Sequence, residues 1–256
     1  MAKIDYLKSL KELYPESNFE SAYESNINLE DSESKVIAHY LAVINIYIAI
    51  WEYGYYFLSL AIVKHTSIHK SYSLIAALIT EVHSSLRGSF LLNIRGYHPD
   101  AIALLRKTHE SMIKAIACKV QSQNSWKIIM SSGIIKAEHD MGIDWKHIYD
   151  IESGFTHSNR LKVSRVGSEL SAGKENITID YGPQMDEMEF KFAAAISIFW
   201  MYVCIYSFPK LFPDQVSDYW KSKQPIVLRM LKDYLTVAGS KLLKDIVSFE
   251  HVAEKI

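Results

Sequence analysis

The chain contains little glycine and proline, with 10 glycines and 6 prolines among its 256 residues. Folds built from β-strands need many more of both residues for their turns, so long helices are favoured. The chain also has only two cysteines, Cys118 and Cys204, which lie far apart in apolar segments. We therefore expect neither a disulfide framework nor a thiolate metal site, and a reducing cytoplasm is the expected location.

Neither sign of charge dominates. The 28 Lys and Arg residues against 29 Asp and Glu residues leave a formal net charge of −1. Non-specific binding to nucleic acid or to an anionic membrane depends on an excess of positive charge, which this chain lacks. Any contact with RNA or a nucleotide is therefore expected to be local. The first fifteen residues contain no continuous apolar stretch, and no secretory signal is predicted.

Helical patterns fill most of the sequence. Residues 1–31 predict a short amphipathic helix that ends at Pro15 and a polar segment after it, and we interpret them as an N-terminal arm. Residues 32–256 show no repeat and no low-complexity linker, which predicts one helical-bundle domain. Two alternating segments within this domain predict a small β-hairpin near residues 161–181. The predicted fold class is therefore all-α, a multi-helix bundle with a small hairpin insertion.

Two apolar segments are long enough to raise the question of a membrane. A spanning helix needs about 20 consecutive apolar residues, and the uncharged segment from Phe192 to Phe208 is slightly shorter. The run from Val36 to Val63 is long enough but contains Glu52, whose carboxylate would cost several kcal/mol at the centre of a bilayer. We expect buried helices of a soluble bundle, with a membrane-associated helical protein as the alternative.

The sequence lacks the common signatures of cofactor and metal sites. It has no phosphate-binding glycine loop, no dinucleotide pattern, no cysteine pair at zinc spacing and no paired Glu-x-x-His motif. No cofactor and no metal are predicted. Sixteen tyrosines and five tryptophans give more apolar surface than one bundle is expected to cover, so we predict a homodimer.

Several polar residues stand where a helical pattern expects apolar ones. Arg106 and Glu110 are four residues apart and can pair along a helix, while His109 points from the same helix into its apolar face. Ser153 and His157 have the same spacing across a predicted helix end, where Gly154 is expected to turn the chain back over the central helix.

Two interpretations of these polar residues remain open. They could tie helices together through buried hydrogen bonds, because an unpaired buried group costs about 1–3 kcal/mol. Alternatively, Arg106, His109 and His157 could form an anion or phosphate site, with arginine as a fixed set of donors and histidine as a proton carrier. Under either interpretation, one polar cluster is predicted: Arg106, His109, Glu110, Ser153 and His157.

Three stretches resemble a known group of proteins: GYHPDAIALLRKTHESMIKAIACKV, DIESGFTHSNRLKV and ITIDYGPQ. They are similar to an uncharacterised family of bacterial all-helical proteins, which is in turn distantly similar to HEPN domains. Members carry an Arg and a Glu four apart in a central helix and a later Ser/His pair. Arg106 with Glu110, and Ser153 with His157, match these positions.

This resemblance implies a HEPN-like protein of bacterial stress or phage defence that acts by binding a partner, a nucleotide or RNA. HEPN domains occur in toxin–antitoxin and phage-defence systems, and many are metal-independent ribonucleases. Their catalytic pattern, an Arg followed after four to six residues by a His, is absent from this chain. The alternative of a ribonuclease toxin requires Arg106 and His157 to meet in space or across a dimer interface. Arg106 would then steady the scissile phosphate and His157 would assist attack by the 2′-hydroxyl.

Overall fold

The computed structural model describes residues 45–61, 72–120, 133–157, 186–238 and 241–254. Within these residues the chain forms eight helices and no strand, which confirms the prediction of an all-helical bundle. The predicted N-terminal arm and the predicted hairpin near 161–181 lie outside the described residues. The helices are α1 (45–61), α2 (Ser73–Ile94), α3 (His98–Val120), α4 (Ile134–Met141), α5 (Lys146–His157), α6 (Glu187–Leu211), α7 (Asp218–Val237) and α8 (Leu242–Ala253).

Helix α6 forms the centre of the bundle. Every residue from 193 to 205 is buried, and α2, α3, α7 and α8 all contact this helix. A helix that is apolar on all sides needs such surroundings in water. Among the described residues, α6 is also the one helix long and apolar enough to cross a membrane, yet 83% of its most apolar window is buried inside the protein. Packing in the core therefore accounts for its composition.

Helices α2 and α3 form a closely packed hairpin. Gly96 turns the chain between them with a φ of 87°, a backbone conformation that side chains other than glycine rarely adopt. A Cβ atom on Gly88 would lie 2.6 Å from Leu104 Cδ2, so the absence of a side chain lets the two helices approach. Asn93 Nδ2 donates to Phe190 O at 3.3 Å, which joins the end of α2 to the start of α6. This hairpin presents one face of α3 to α4 and α5.

Helix α1 buries one side and exposes another. Tyr47, Trp51 and Leu58 are buried, and Trp51 Nε1 donates to Ser197 Oγ of α6 at 2.9 Å. On the opposite side three large apolar residues and one alanine face solvent, and we call them the outer stripe of α1: Ile46, Ala49, Tyr53 and Tyr56.

Helices α4 and α5 are joined by a short connection that starts at Gly142. Gly142 has a φ of 75° and caps the C-terminus of α4 in the left-handed conformation. Across this turn, Ile143 N–H donates to Glu138 O at 2.8 Å. The expectation that Gly154 forms a turn is wrong, because α5 continues through it to His157. A glycine inside a helix costs only about 1 kcal/mol relative to alanine, which the buried residues of α5 offset.

A candidate functional site around His109

The most polar part of the described interior surrounds His109 of α3. The imidazole is fully buried, as its position on the apolar face predicts. Its Nδ1 lies 2.7 Å from Glu152 Oε2 of α5, and its Nε2 contacts Glu138 Oε1 of α4. Both glutamates are buried as well. We call these three residues the His109 centre; it connects α3 to α4 and α5.

Aromatic rings enclose the His109 centre. The imidazole lies 4.3 Å from the Trp200 ring, and Trp145 and Tyr149 approach it edge-on at 6.2 and 5.8 Å between ring centroids. Trp200 Nε1 donates a hydrogen bond of 2.8 Å to Glu152 Oε1, so one of the enclosing rings also hydrogen bonds to the centre. Trp145 and Trp200 are buried. The centre is therefore closed to solvent on these sides.

The geometry determines how His109 is protonated. Burial alone would lower its pKa, but the nearby carboxylates of Glu152 and Glu138 outweigh that effect and raise the pKa to about 9. A neutral imidazole has only one N–H, whereas both ring nitrogens here face a carboxylate oxygen. The imidazolium form, with two N–H donors, satisfies both contacts. His109 is accordingly a cation at neutral pH.

This arrangement favours a structural role over catalysis for His109. A general acid or base must come within hydrogen-bonding distance of a substrate atom, and both nitrogens of this ring already face buried glutamates. Among the described residues, no group of three or more His, Cys, Asp or Glu side chains is arranged to hold an ion. The His109 centre instead ties α3, α4, α5 and α6 together.

Arg106 lies one turn away, at the edge of the buried region. Its Nε donates to Glu110 Oε1 at 3.0 Å, so the pair four residues apart along α3 is present. Its Nη2 donates to Tyr149 Oη of α5 at 2.9 Å. The side chains of Arg106 and Glu110 are 17% and 34% exposed, which places this pair between core and solvent.

The remaining two residues of the predicted cluster lie further along α5. Arg106 bonds Tyr149 and His109 bonds Glu152, each 43 residues later, so α3 and α5 run in the same direction here. His157 ends α5 eight residues after Tyr149, about 12 Å along the helix axis, and its side chain lies outside the described residues. Ser153 Oγ is buried and makes no hydrogen bond within the described part of the chain. The joining of Arg106, Glu110 and His157 stays a prediction.

Sequence reasoning missed both glutamates of the centre. A signal was present, because Glu138 shares a helical stripe with the buried Ile134 and Ala137, and Glu152 lies four residues after the buried Ile148. An acidic residue inside an apolar stripe indicates a buried partner. That signal does not say which partner, since His109 comes from a different helix.

A separate surface feature is an apolar groove between α1, α6 and α7, which we call the α7 groove. Its volume is about 740 Å³, and its lining includes Tyr47, Ile50, Phe190, Met230 and Tyr234. A second groove of about 400 Å³ lies between α5, α6 and α8 and shares Lys191 and Ala238 with it. Of the eleven large apolar side chains exposed in the described regions, five border these two grooves: Ile46, Met188, Phe192, Ile226 and Val237.

No family model, no curated protein and no solved structure matches this chain.

Proposed function

We propose that this chain is a HEPN-like helical protein of bacterial stress or phage defence that acts by binding a protein partner and not by catalysis. The α7 groove is the observation that carries this proposal. Three large apolar side chains that line it, Ile46, Ile226 and Val237, are 59–88% exposed, and grouped exposed apolar side chains of this kind mark interaction sites in soluble proteins. The HEPN-like assignment itself rests on the resemblance of the sequence motifs around Arg106 and His157.

The shape and lining of the α7 groove suit an amphipathic helix of the partner. Such a helix places apolar side chains from successive turns into a groove and keeps its polar face in solvent. Here the floor is apolar and aromatic, while Lys191, Arg229 and Asp233 supply charges of both signs at the margin. Charges of both signs favour a partner helix with mixed charges over a nucleic acid backbone, which is uniformly negative.

The His109 centre also supports this proposal, because its histidine is not accessible to a substrate. In a ribonuclease that dispenses with metal, a histidine must reach the 2′-hydroxyl or the leaving oxygen. His109 is closed off by Trp145, Tyr149 and Trp200, and the backbone of His157 lies about 12 Å along α5 from the residue that Arg106 bonds. This separation does not favour the ribonuclease alternative, which needs Arg106 and His157 to meet in space or across a dimer interface.

A phage-challenge experiment with matched variants tests the proposal. Bacteria that express the chain should show reduced phage plating or slowed growth, and Ile226→Asp should abolish the effect by placing a charge on the groove. Ser222→Asp adds the same charge at an exposed position of α7 outside the groove and should have no effect. His157→Ala should also retain the effect, and the purified chain should leave RNA intact.

Two outcomes would overturn the proposal. If the purified chain degrades RNA and both Arg106→Ala and His157→Ala stop the degradation, the ribonuclease alternative is correct. If expression affects neither phage plating nor growth, the assignment to stress or phage defence fails.

A further inference from the structure

The second groove, between α5, α6 and α8, has an apolar floor, and we call it the α8 groove. Four buried side chains from three helices form this floor: Ile148, Ala195, Ile196 and Leu242. Ala195 projects only a methyl group, which leaves room above α6. At the rim, Met188 and Phe192 are 80% and 39% exposed, so apolar surface continues from the floor to the solvent.

The size of the α8 groove suits a small amphiphilic molecule. Its volume is about 400 Å³, at the lower end of the range of ligand sites in proteins, which combine apolar walls with a few polar groups. A water molecule takes up about 30 Å³ of the liquid and a methylene group is of similar size, so the groove holds an alkyl chain of roughly ten carbons.

The polar side chains that line the α8 groove are all basic: His147, Lys191 and Lys241, with no carboxylate among the described lining residues. Two of the three have a carboxylate partner just outside the groove. Lys191 Nζ lies 2.5 Å from Glu187 Oε1, and His147 Nε2 lies 3.2 Å from Asp245 Oδ2. The lining therefore favours a ligand with a negative charge.

Lys241 is the third basic side chain, and it lies at the start of α8 beside Leu242 of the floor. It is exposed, and it makes no side-chain hydrogen bond or ion pair within the described part of the chain. One unpaired positive charge beside an apolar floor matches a ligand head with one negative charge. A carboxylate has a single charge at neutral pH, whereas a phosphate monoester has nearly two.

We propose that the α8 groove binds an alkyl carboxylate, a free fatty acid of about ten carbons, with its chain on the floor and its carboxylate at Lys241. The flexible stem of a lysine lets its ammonium group reach a carboxylate at the rim. The two grooves share Lys191 and Ala238, but this proposal depends neither on a protein partner in the α7 groove nor on the proposed defence role.

Calorimetry of the full-length chain with decanoate tests the ligand class. Decanoate should bind at one site, and decyltrimethylammonium, which has the same chain and a cationic head, should bind at least about tenfold more weakly because Lys241 repels it. Equal affinities, or no saturable binding of decanoate up to about 1 mM, would overturn the proposal. So would sedimentation of the chain with phosphatidylglycerol vesicles in the absence of decanoate binding, which would assign the groove to a membrane surface.

Two charge reversals on α8 and its first turn form a matched pair. Lys241→Glu should weaken decanoate binding about tenfold, because it replaces an attraction by a repulsion. Lys244→Glu makes the same change at an exposed position outside the groove and should leave the affinity unchanged. Equal losses in the two variants would mean that the general charge of this surface, and not Lys241, attracts the ligand, and would overturn the proposal.

Methionine methyl groups report where decanoate binds. Met188 lines the α8 groove and Met230 lines the α7 groove, so nuclear magnetic resonance of the chain labelled with ¹³C at the methionine methyls compares the two sites. Met188→Leu and Met230→Leu assign the two signals. Decanoate should shift the Met188 signal and leave the Met230 signal in place. A shift of Met230 as large as that of Met188, or larger, would place the ligand in the α7 groove and overturn the proposal.

Discussion

His109 shows how one residue can bind four helices together. A buried charge is costly unless it is paired and hydrogen bonded, and this imidazolium meets both conditions through Glu138 and Glu152. Trp200 then donates to the second oxygen of Glu152. Because each partner comes from a different helix, the loss of one side chain leaves charges unpaired in the interior.

We therefore predict unequal costs for two alanine substitutions on α3. His109→Ala should lower the free energy of unfolding by about 3–5 kcal/mol, because it leaves buried carboxylates without their cation. Arg106→Ala should cost only about 1–2 kcal/mol, because Arg106 and Glu110 are partly exposed and solvent screens their attraction. Urea denaturation of both variants checks this. Equal costs, or a larger cost for Arg106→Ala, would mean that the main polar tie is not at His109.

The raised pKa of His109 predicts a pH dependence of stability. In the unfolded chain this histidine has its usual pKa of 6.5, whereas in the folded chain the pKa is about 9. The folded state thus binds the proton more tightly, and the resulting stabilisation is complete below pH 6.5. It declines as the pH rises towards 9, by about 3 kcal/mol in all. Urea denaturation at pH 6 and pH 9 should show this decline in the wild type and a much smaller one in His109→Gln; parallel declines in both proteins would contradict it.

At the scale of helices, local periodicity predicted most of the elements. In α2, Ile75, Ile79, Val82 and Leu86 recur every three or four positions, and all four are buried. In α3, the buried positions 102, 105, 109, 112 and 116 follow the same rule. The predicted end of α5 near Ser153 was wrong, because Gly154 by itself cannot end a helix that buried neighbours hold in place.

Two glycines give a test of these helix ends. Gly154→Ala should raise the free energy of unfolding by about 0.5–1 kcal/mol, because the residue lies inside α5 and a Cβ there meets no atom within 4 Å. Gly142→Ala should lower it by about 1 kcal/mol, since the φ of 75° disfavours any side chain although the space is open. Thermal denaturation of the two variants is a matched comparison. If Gly154→Ala lowers the free energy of unfolding instead, Gly154 forms a turn, as the sequence suggested, and α5 does not continue through it.

The partners of His109 illustrate what periodicity does not provide. The position of His109 on a buried face follows from the spacing of residues on α3 alone. Its bonds to Glu138 and Glu152 depend on how α4 and α5 pack on that helix, which is a property of the tertiary structure. The pair Arg106 and Glu110 was predictable for the contrasting reason that both residues belong to one helix.

At the scale of the whole molecule, the aromatic residues divide between core and surface. Trp51, Trp145, Trp200 and Trp220 are all buried, so tryptophan supplies core packing in the described regions. Of the eleven large apolar side chains exposed in these regions, seven lie on the outer stripe of α1 or border the two grooves. The homodimer predicted from aromatic content stays a prediction.

The geometry makes His109 a buried cation that holds helices together. Nuclear magnetic resonance of the chain labelled with ¹⁵N-histidine, recorded from pH 5 to 10, measures the protonation of this one ring. We expect two protonated ring nitrogens for His109 at pH 7, hydrogens that exchange slowly with solvent, and a pKa of about 9. A His109 ring that titrates near its usual 6.5 and exchanges its hydrogens rapidly would be an open imidazole available for chemistry, and the structural role would be wrong.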